Sequence, residues 1–173
     1  MEVNSTITTT SVGTRYGLLT GLISVIISFG LFAVQMEQSS LRYVSFLVLL
    51  GGIVMAMRYY KENNRGFMSF GQGLGIGTVL SAVVGALSAI FTYVYMNIID
   101  PEVVGRMMDK ARADMEAKGN LSDEQIDQAM TIAGKFMNGP IMLAGVILGT
   151  IFFGFILSLV VSAILKHSKP EFE

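Results

Sequence analysis

The chain has 173 residues, 52% hydrophobic and 14% charged, with a formal net charge of −1 and a mean hydropathy of +0.60. Soluble domains carry about 25% charged residues, so this composition points to a lipid solvent. The charge balance excludes a basic face for nucleic acid, and the lack of cysteine excludes disulfides, thiolate metal centres and cysteine nucleophiles.

Residues 1–14 read as a polar N-terminal tail. Tyr16 to Met36 then forms an uncharged run of 21 residues between Arg15 and Glu37. At about 1.5 Å per residue it matches the roughly 30 Å core of a bilayer. The run is longer than the apolar stretch of a signal peptide and no cleavage motif follows it, so it is expected to remain as the first span, 16–36.

The second uncharged run, Tyr43 to Met57, has 15 residues. Leu41, Tyr59 and Tyr60 extend it to 41–60, Arg42 and Arg58 reach back to the interface, and Ser39 or Ser40 supplies a cap. The third, Gly66 to Ile99, has 34 residues. As one rod it would measure about 50 Å. Glycine disfavours helix by up to about 1 kcal/mol per position. The excess is therefore placed at the start, an interfacial approach through Gly71 and Gly73, with the span itself at 74–98.

Residues 100–135 differ sharply in composition, holding 13 charges. Asp100-Pro101-Glu102 reads as a cap, a first-turn proline and an acid. Val104, Met107, Met108, Ala111 and Met115 recur at helical spacing up to Lys118-Gly119. Ser122 and Gln125 form a capping-box pattern, and Ile126, Met130, Ala133 and Met137 continue an apolar face. Two short amphipathic helices folded back on each other, an extramembrane hairpin, are expected. The fourth transmembrane helix lies within 136–166. Gly139-Pro140 suits its start, so its apolar span runs from Pro140 to Leu165, and a polar tail, 167–173, follows. The expected fold class is an all-α integral membrane protein with four transmembrane helices.

Four spans place both termini and the Arg58–Gly66 loop on one side. Basic residues number six on each side, but three crowd into the short stretch from Arg58 to Arg65, where they weigh most. Both termini are therefore expected in the cytoplasm and 100–135 in the periplasm.

No catalytic, cofactor or metal site is expected. The run Gly71, Gly73, Gly75, Gly77 lacks the glycine spacing of a dinucleotide loop and any Walker lysine. No ionisable residue lies within a span, whereas ion coupling normally needs one. Gln35, Gln72, Asn97 and Asn138 sit near helix ends, and His167 reads as a solvated flank beside Lys166 and Lys169. The sharper signal is packing. Gly73, Gly77, Ser81, Gly85 and Ala89 recur every four residues, and small residues let helix backbones approach closely in lipid. Gly17 with Gly21, Gly145 with Gly149, and Gly154, Ser158 and Ser162 repeat the pattern. Whether such faces meet within one chain or between chains stays open. The loop residues Arg58, Lys61 and Arg65 can bind lipid phosphates, and Ser69 and Gln72 can cap the backbone after Gly66.

The stretch Arg58-Tyr59-Tyr60-Lys61-Glu62-Asn63-Asn64-Arg65-Gly66-Phe67-Met68-Ser69-Phe70-Gly71-Gln72-Gly73, with the later Tyr95 and Asp100-Pro101, resembles a family of small four-helix membrane proteins. These come mostly from Bacteroidota and are catalogued as a domain of unknown function. The resemblance runs from about Thr14 to Leu165 and implies a bacterial inner-membrane location, with no activity attached. Two functional readings follow. One is a non-enzymatic interaction or structural component that engages the bilayer and either a membrane-protein partner or its own copies. The other is a small oligomeric channel or transporter for a neutral solute, its small-residue stripes serving as subunit contacts.

Overall fold

The computed structural model describes residues 7–36, 40–137 and 139–167. The tail over 1–6, Ser39, Asn138 and the tail from 168 on lie outside the described residues, as do the side chains of Ser40 and Arg42. The described residues form helices α1 (Thr9–Ala33), α2 (Val44–Asn63), α3 (Phe70–Val94), α4 (Val103–Lys118), α5 (Asp123–Phe136) and α6 (Pro140–Leu165). A 3₁₀ turn, Ser40–Tyr43, precedes α2, and a π turn, Tyr95–Ile99, ends α3. Among the described residues four segments are long and apolar enough to cross a membrane: Thr9–Ala33, Val44–Asn63, Phe70–Ile99 and Pro140–Leu165. The protein is an all-helical membrane protein.

Two compact units divide the chain, one up to Ser88 and again from Ile147, the other Ala89–Val146. The first unit is held by large side chains interleaved with very small ones. Ile53, Ala56, Met57, Met68, Ile76 and Leu80 are fully buried, and Val12, Leu49, Tyr60, Val84 and Val161 complete the cluster. The outer faces of α1 and α6 remain apolar and exposed, with Ile26, Phe29, Leu148, Phe152 and Ile164 among them. Such faces suit lipid, where no hydrophobic drive holds helices together and close packing must do so.

Three boundaries correct the sequence reading. Helix α1 starts at Thr9, inside the expected tail, because the Thr8 hydroxyl accepts from the Ser11 amide at 3.1 Å and Val12 and Gly13 are buried. Arg15 therefore lies within the helix. Its guanidinium sits 5.5 Å from the Tyr59 ring centroid and donates to the Tyr59 hydroxyl at 3.3 Å, so the charge has a partner beside it. Helix α3 is regular from Phe70, where a loosened approach to a 74–98 span was expected. Ser69 and Gln72 form a capping box at its start: the Gln72 amide donates to Ser69 Oγ at 3.2 Å and the Ser69 amide to Gln72 Oε1 at 2.8 Å. Helix α2 begins at Val44 behind the 3₁₀ turn, with Tyr43 at the cap and no side-chain cap bond.

In the second unit, α3 passes into the π turn, closed by the Asp100 amide donating to Tyr95 O at 2.8 Å. Helix α4 starts at Val103, two residues after the proline expected to open it. It ends at Gly119 in the left-handed conformation, φ 63°. Helix α5 opens with the Ser122–Gln125 capping box. Ile126 is buried, a methyl placed on Gly134 would meet Met108 Cε at 3.8 Å, and Arg112 pairs with Asp127 across the two helices.

Candidate functional site

The predicted small-residue stripe on α3 is a seam within the chain. A methyl at Gly73 would press on Ser162, one at Gly77 would overlap the Ser158 hydroxyl, and one at Gly154 would overlap the Ser81 hydroxyl. A methyl at Gly85 would stand 3.2 Å from Ile147 and Thr150. Each four-residue step forward on α3 meets a step back on α6, so the two helices run antiparallel with glycine opposite serine. The hydroxyls stay satisfied at zero exposure. Ser81 donates to Gly77 O at 2.7 Å and Ser158 to Gly154 O at 2.6 Å, each bond one turn back along its own helix. Ser162 points at Met57 Sδ, 3.8 Å away. Ala89 is buried but belongs to the second unit, outside this seam.

A second small-residue ridge serves the other side of α3. Methyls at Gly13, Gly17 and Gly21 would meet Val79, Val83 and Leu87 in turn. These partners advance together, so α1 and α3 run parallel. Gly13 carries no signal in the sequence because it precedes Arg15, the charge that bounds the first apolar run. Gly52 seats Thr20 between α1 and α2. Gly145 and Gly149, by contrast, face open space, with nothing within 4 Å of where a methyl would stand.

The predicted loop residues separate into two groups. Lys61 and the capping pair Ser69–Gln72 are structural. Lys61 Nζ donates to Leu165 O at 3.2 Å, a cation on the carbonyl end of α6. Arg58 and Arg65 are exposed. Helix α2 closes with the Gly66 amide donating to Lys61 O at 2.8 Å, which puts Arg65 in the left-handed region at φ 55° and Gly66 at φ 82°. The loop then grips the end of α6. Met68 and His167 exchange backbone hydrogen bonds of 2.9 and 2.8 Å, and the Phe67 and His167 rings stack at 5.4 Å. His167 is exposed, as expected of a solvated flank, and is in addition anchored through its backbone and its ring face. Nothing local in the sequence signals so distant a backbone pairing.

The second unit holds a cavity of about 430 Å³ lined by Met96, Asn97, Pro101, Val104, Gly105, Met137, Gly139 and Met142. Its lining has no titratable side chain, so it offers shape and polarisable thioethers. Next to it, Arg106 donates to both Asp100 oxygens, at 2.6 and 3.3 Å. The guanidinium holds the Asp100 carboxyl below the usual carboxylate range, outweighing partial desolvation, and the Glu102 and Val103 amides add to it. Among the described residues no three His, Cys, Asp or Glu side chains converge on a common point.

No curated protein and no solved structure matches the chain. Residues 15–167 match the family described as "Protein of unknown function (DUF4199)". That span takes in the α3–α6 seam, the loop anchored on His167 and the whole second unit, and the chain belongs to this family.

Proposed function

We propose that the protein is a non-enzymatic structural or interaction component of a bacterial inner membrane. Both termini face the cytoplasm, and α4 with α5 forms an extramembrane, amphipathic hairpin on the periplasmic side. The observation that carries this reading is the α3–α6 seam. A channel built from several copies needs small-residue faces for subunit contact, and here the longest such faces are consumed inside one chain. The exposed cations Arg58 and Arg65 beside the α2–α3 turn support the orientation, since short basic loops stay in the cytoplasm.

One preparation tests both readings. The chain purified in mild detergent is weighed, then reconstituted into vesicles and assayed for swelling in small neutral solutes. A monomer whose vesicles swell at the lipid-only rate is the expected result. A stable homo-oligomer that speeds swelling would establish the channel reading instead, with Gly145 and Gly149 as its first candidate contact. Orientation is read by single-cysteine labelling, because the sequence has no cysteine of its own. Labelling of a cysteine at Ala113 by an impermeant reagent from the periplasm is expected; labelling only from the cytoplasm would reverse the topology.

A further inference from the structure

We propose that the last two turns of α5 lie in the lipid interface, with Ile132 and Phe136 entering the acyl boundary and Lys135 reaching lipid phosphates. The first support is where apolar surface is left uncovered in the second unit. Helix α4 exposes no large hydrophobic residue. Helix α5 exposes none before Ile132, and then Ile132 at 55% and Phe136 at 60%, one turn apart. The other large apolar residues exposed in this unit are Leu121 and members of the membrane-crossing segments, such as Ile98 and Ile141. The end of α5 thus carries a surface of the same kind as the transmembrane helices.

The second support is reach. Only residues 137–139 separate Phe136 from Pro140, where the crossing helix α6 begins. Even fully extended, that connection spans at most about 14 Å. The headgroup layer on each side of the core is about 5–7 Å thick, so with α6 starting at the core boundary Phe136 lies at most about 7–9 Å beyond the headgroups, within reach of the interface. Charge runs in the matching order. Asp123, Glu124 and Asp127 occupy the far part of α5, whereas Lys135 is in the last turn. A base beside the headgroups and acids away from them is the arrangement an anionic surface favours.

The inference rests on α6 crossing the membrane, and the test separates the two. The chain has no tryptophan, so each variant carries one emitter. Phe136→Trp, Ile132→Trp, Ala113→Trp on α4 and Phe152→Trp on the lipid-exposed middle of α6 are reconstituted as full chains in phosphatidylglycerol-containing vesicles. Quenching by lipids brominated near the headgroup end of the acyl chain, and for position 152 by lipids brominated near the methyl end, is read against quenching by aqueous acrylamide. The expected result is that Trp at 136 and 132 emits to the blue and loses most of its signal to bromolipid, while Trp at 113 responds to acrylamide alone. Acrylamide quenching at 136 and 132 equal to that at 113 would overturn the proposal. So would blue emission without bromolipid quenching, which would mean that protein, from a second copy or another partner, covers this edge. If Trp at 152 also escapes bromolipid, the spanning of α6 fails rather than the placement of α5.

Discussion

Where α3 meets α6, the contact is mostly glycine against serine, uncharged, with the Ser81 and Ser158 hydroxyls satisfied within their own helices and Ser162 turned to Met57 Sδ. Where α4 meets α5, the contact is made by a methionine against glycine, a buried isoleucine and an ion pair, with Gly119 closing α4 and the Ser122–Gln125 box opening α5. The difference fits the proposed placement, with α3 and α6 in lipid and α4 with α5 outside it. In lipid, apolar bulk gains nothing by leaving the surroundings, so adhesion comes from backbone approach and dense packing. In water, burial and capping supply adhesion, and charge sets register. The first unit should therefore respond to added volume and ignore salt and acid, while the second should do the reverse.

The largest effect is expected at the seam. Gly77→Ala puts a methyl into the Ser158 hydroxyl, and neither helix can yield without losing the neighbouring steps of the seam. Overpacking of this kind costs about 2–3 kcal/mol. It is measured as a fall in the midpoint of thermal or denaturant unfolding in detergent. Adding Ser158→Gly makes room for the methyl, and the double variant should recover most of the loss. Additive losses would mean that 77 and 158 do not face each other.

The next effect is confined to the second unit. Because Asp100 is held below the ordinary carboxylate range when folded, its contribution is present above its unfolded value of about 3.9 and is lost as pH falls through the folded value. Amide exchange at the start of α4 should accelerate over that acid interval, while the seam amides of α3 stay protected. Asp100→Asn should give the acid-like exchange pattern already at neutral pH and flatten the pH dependence. A variant that keeps the wild-type acid transition would assign it to another group.

Much of this contrast is readable from residue order, because charge-free runs locate spans and Ser122, Gln125 and Gly119 mark ends through local bonds. What stays hidden is non-local. Arg15 looks like a boundary, since a charge inside a span is costly, yet Tyr59, distant in sequence, receives it. Gly71 and Gly73 look like helix breakers because the glycine penalty is measured in exposed helices. At Gly73 the serine of another helix fills the space a side chain would take, and the penalty no longer governs. The π turn at Tyr95–Ile99 and the bridge between Met68 and His167 depend on backbone bonds that no spacing rule encodes.

A smaller effect, with the sign reversed, is expected at Arg65. An L-residue held in the left-handed conformation costs about 1–2 kcal/mol, and glycine relieves it while giving back part through chain entropy. Arg65→Gly should therefore raise stability by about 0.5 kcal/mol, read as a small upward shift of the unfolding midpoint. If Arg65 serves orientation, the same variant weakens the basic cluster, and cysteine labelling should show a fraction of inverted molecules. A gain in stability with unchanged topology would remove Arg65 from the topogenic set and leave Arg58 to carry it.

The smallest effect tests the charged contact between α4 and α5. Arg112 pairs with Asp127 and lies 4.0 Å from Glu116, and all three side chains are well exposed, at 45%, 65% and 56%. Exposed pairs contribute roughly 0.2–1 kcal/mol and are screened by salt. Arg112→Met should cost no more than about 0.5 kcal/mol at physiological salt, and raising salt toward 1 M, where the screening length is about 3 Å, should erase the difference. Ser122→Ala should cost more, about 1 kcal/mol, because it removes an acceptor from the helix start whatever the salt. If Arg112→Met proved the more damaging of the two, the ion pair and not the caps and apolar face would hold α4 to α5, and the second unit would be an electrostatic assembly. If both proved silent while Phe136→Asp loosened α5, its stability would come from the membrane beneath it.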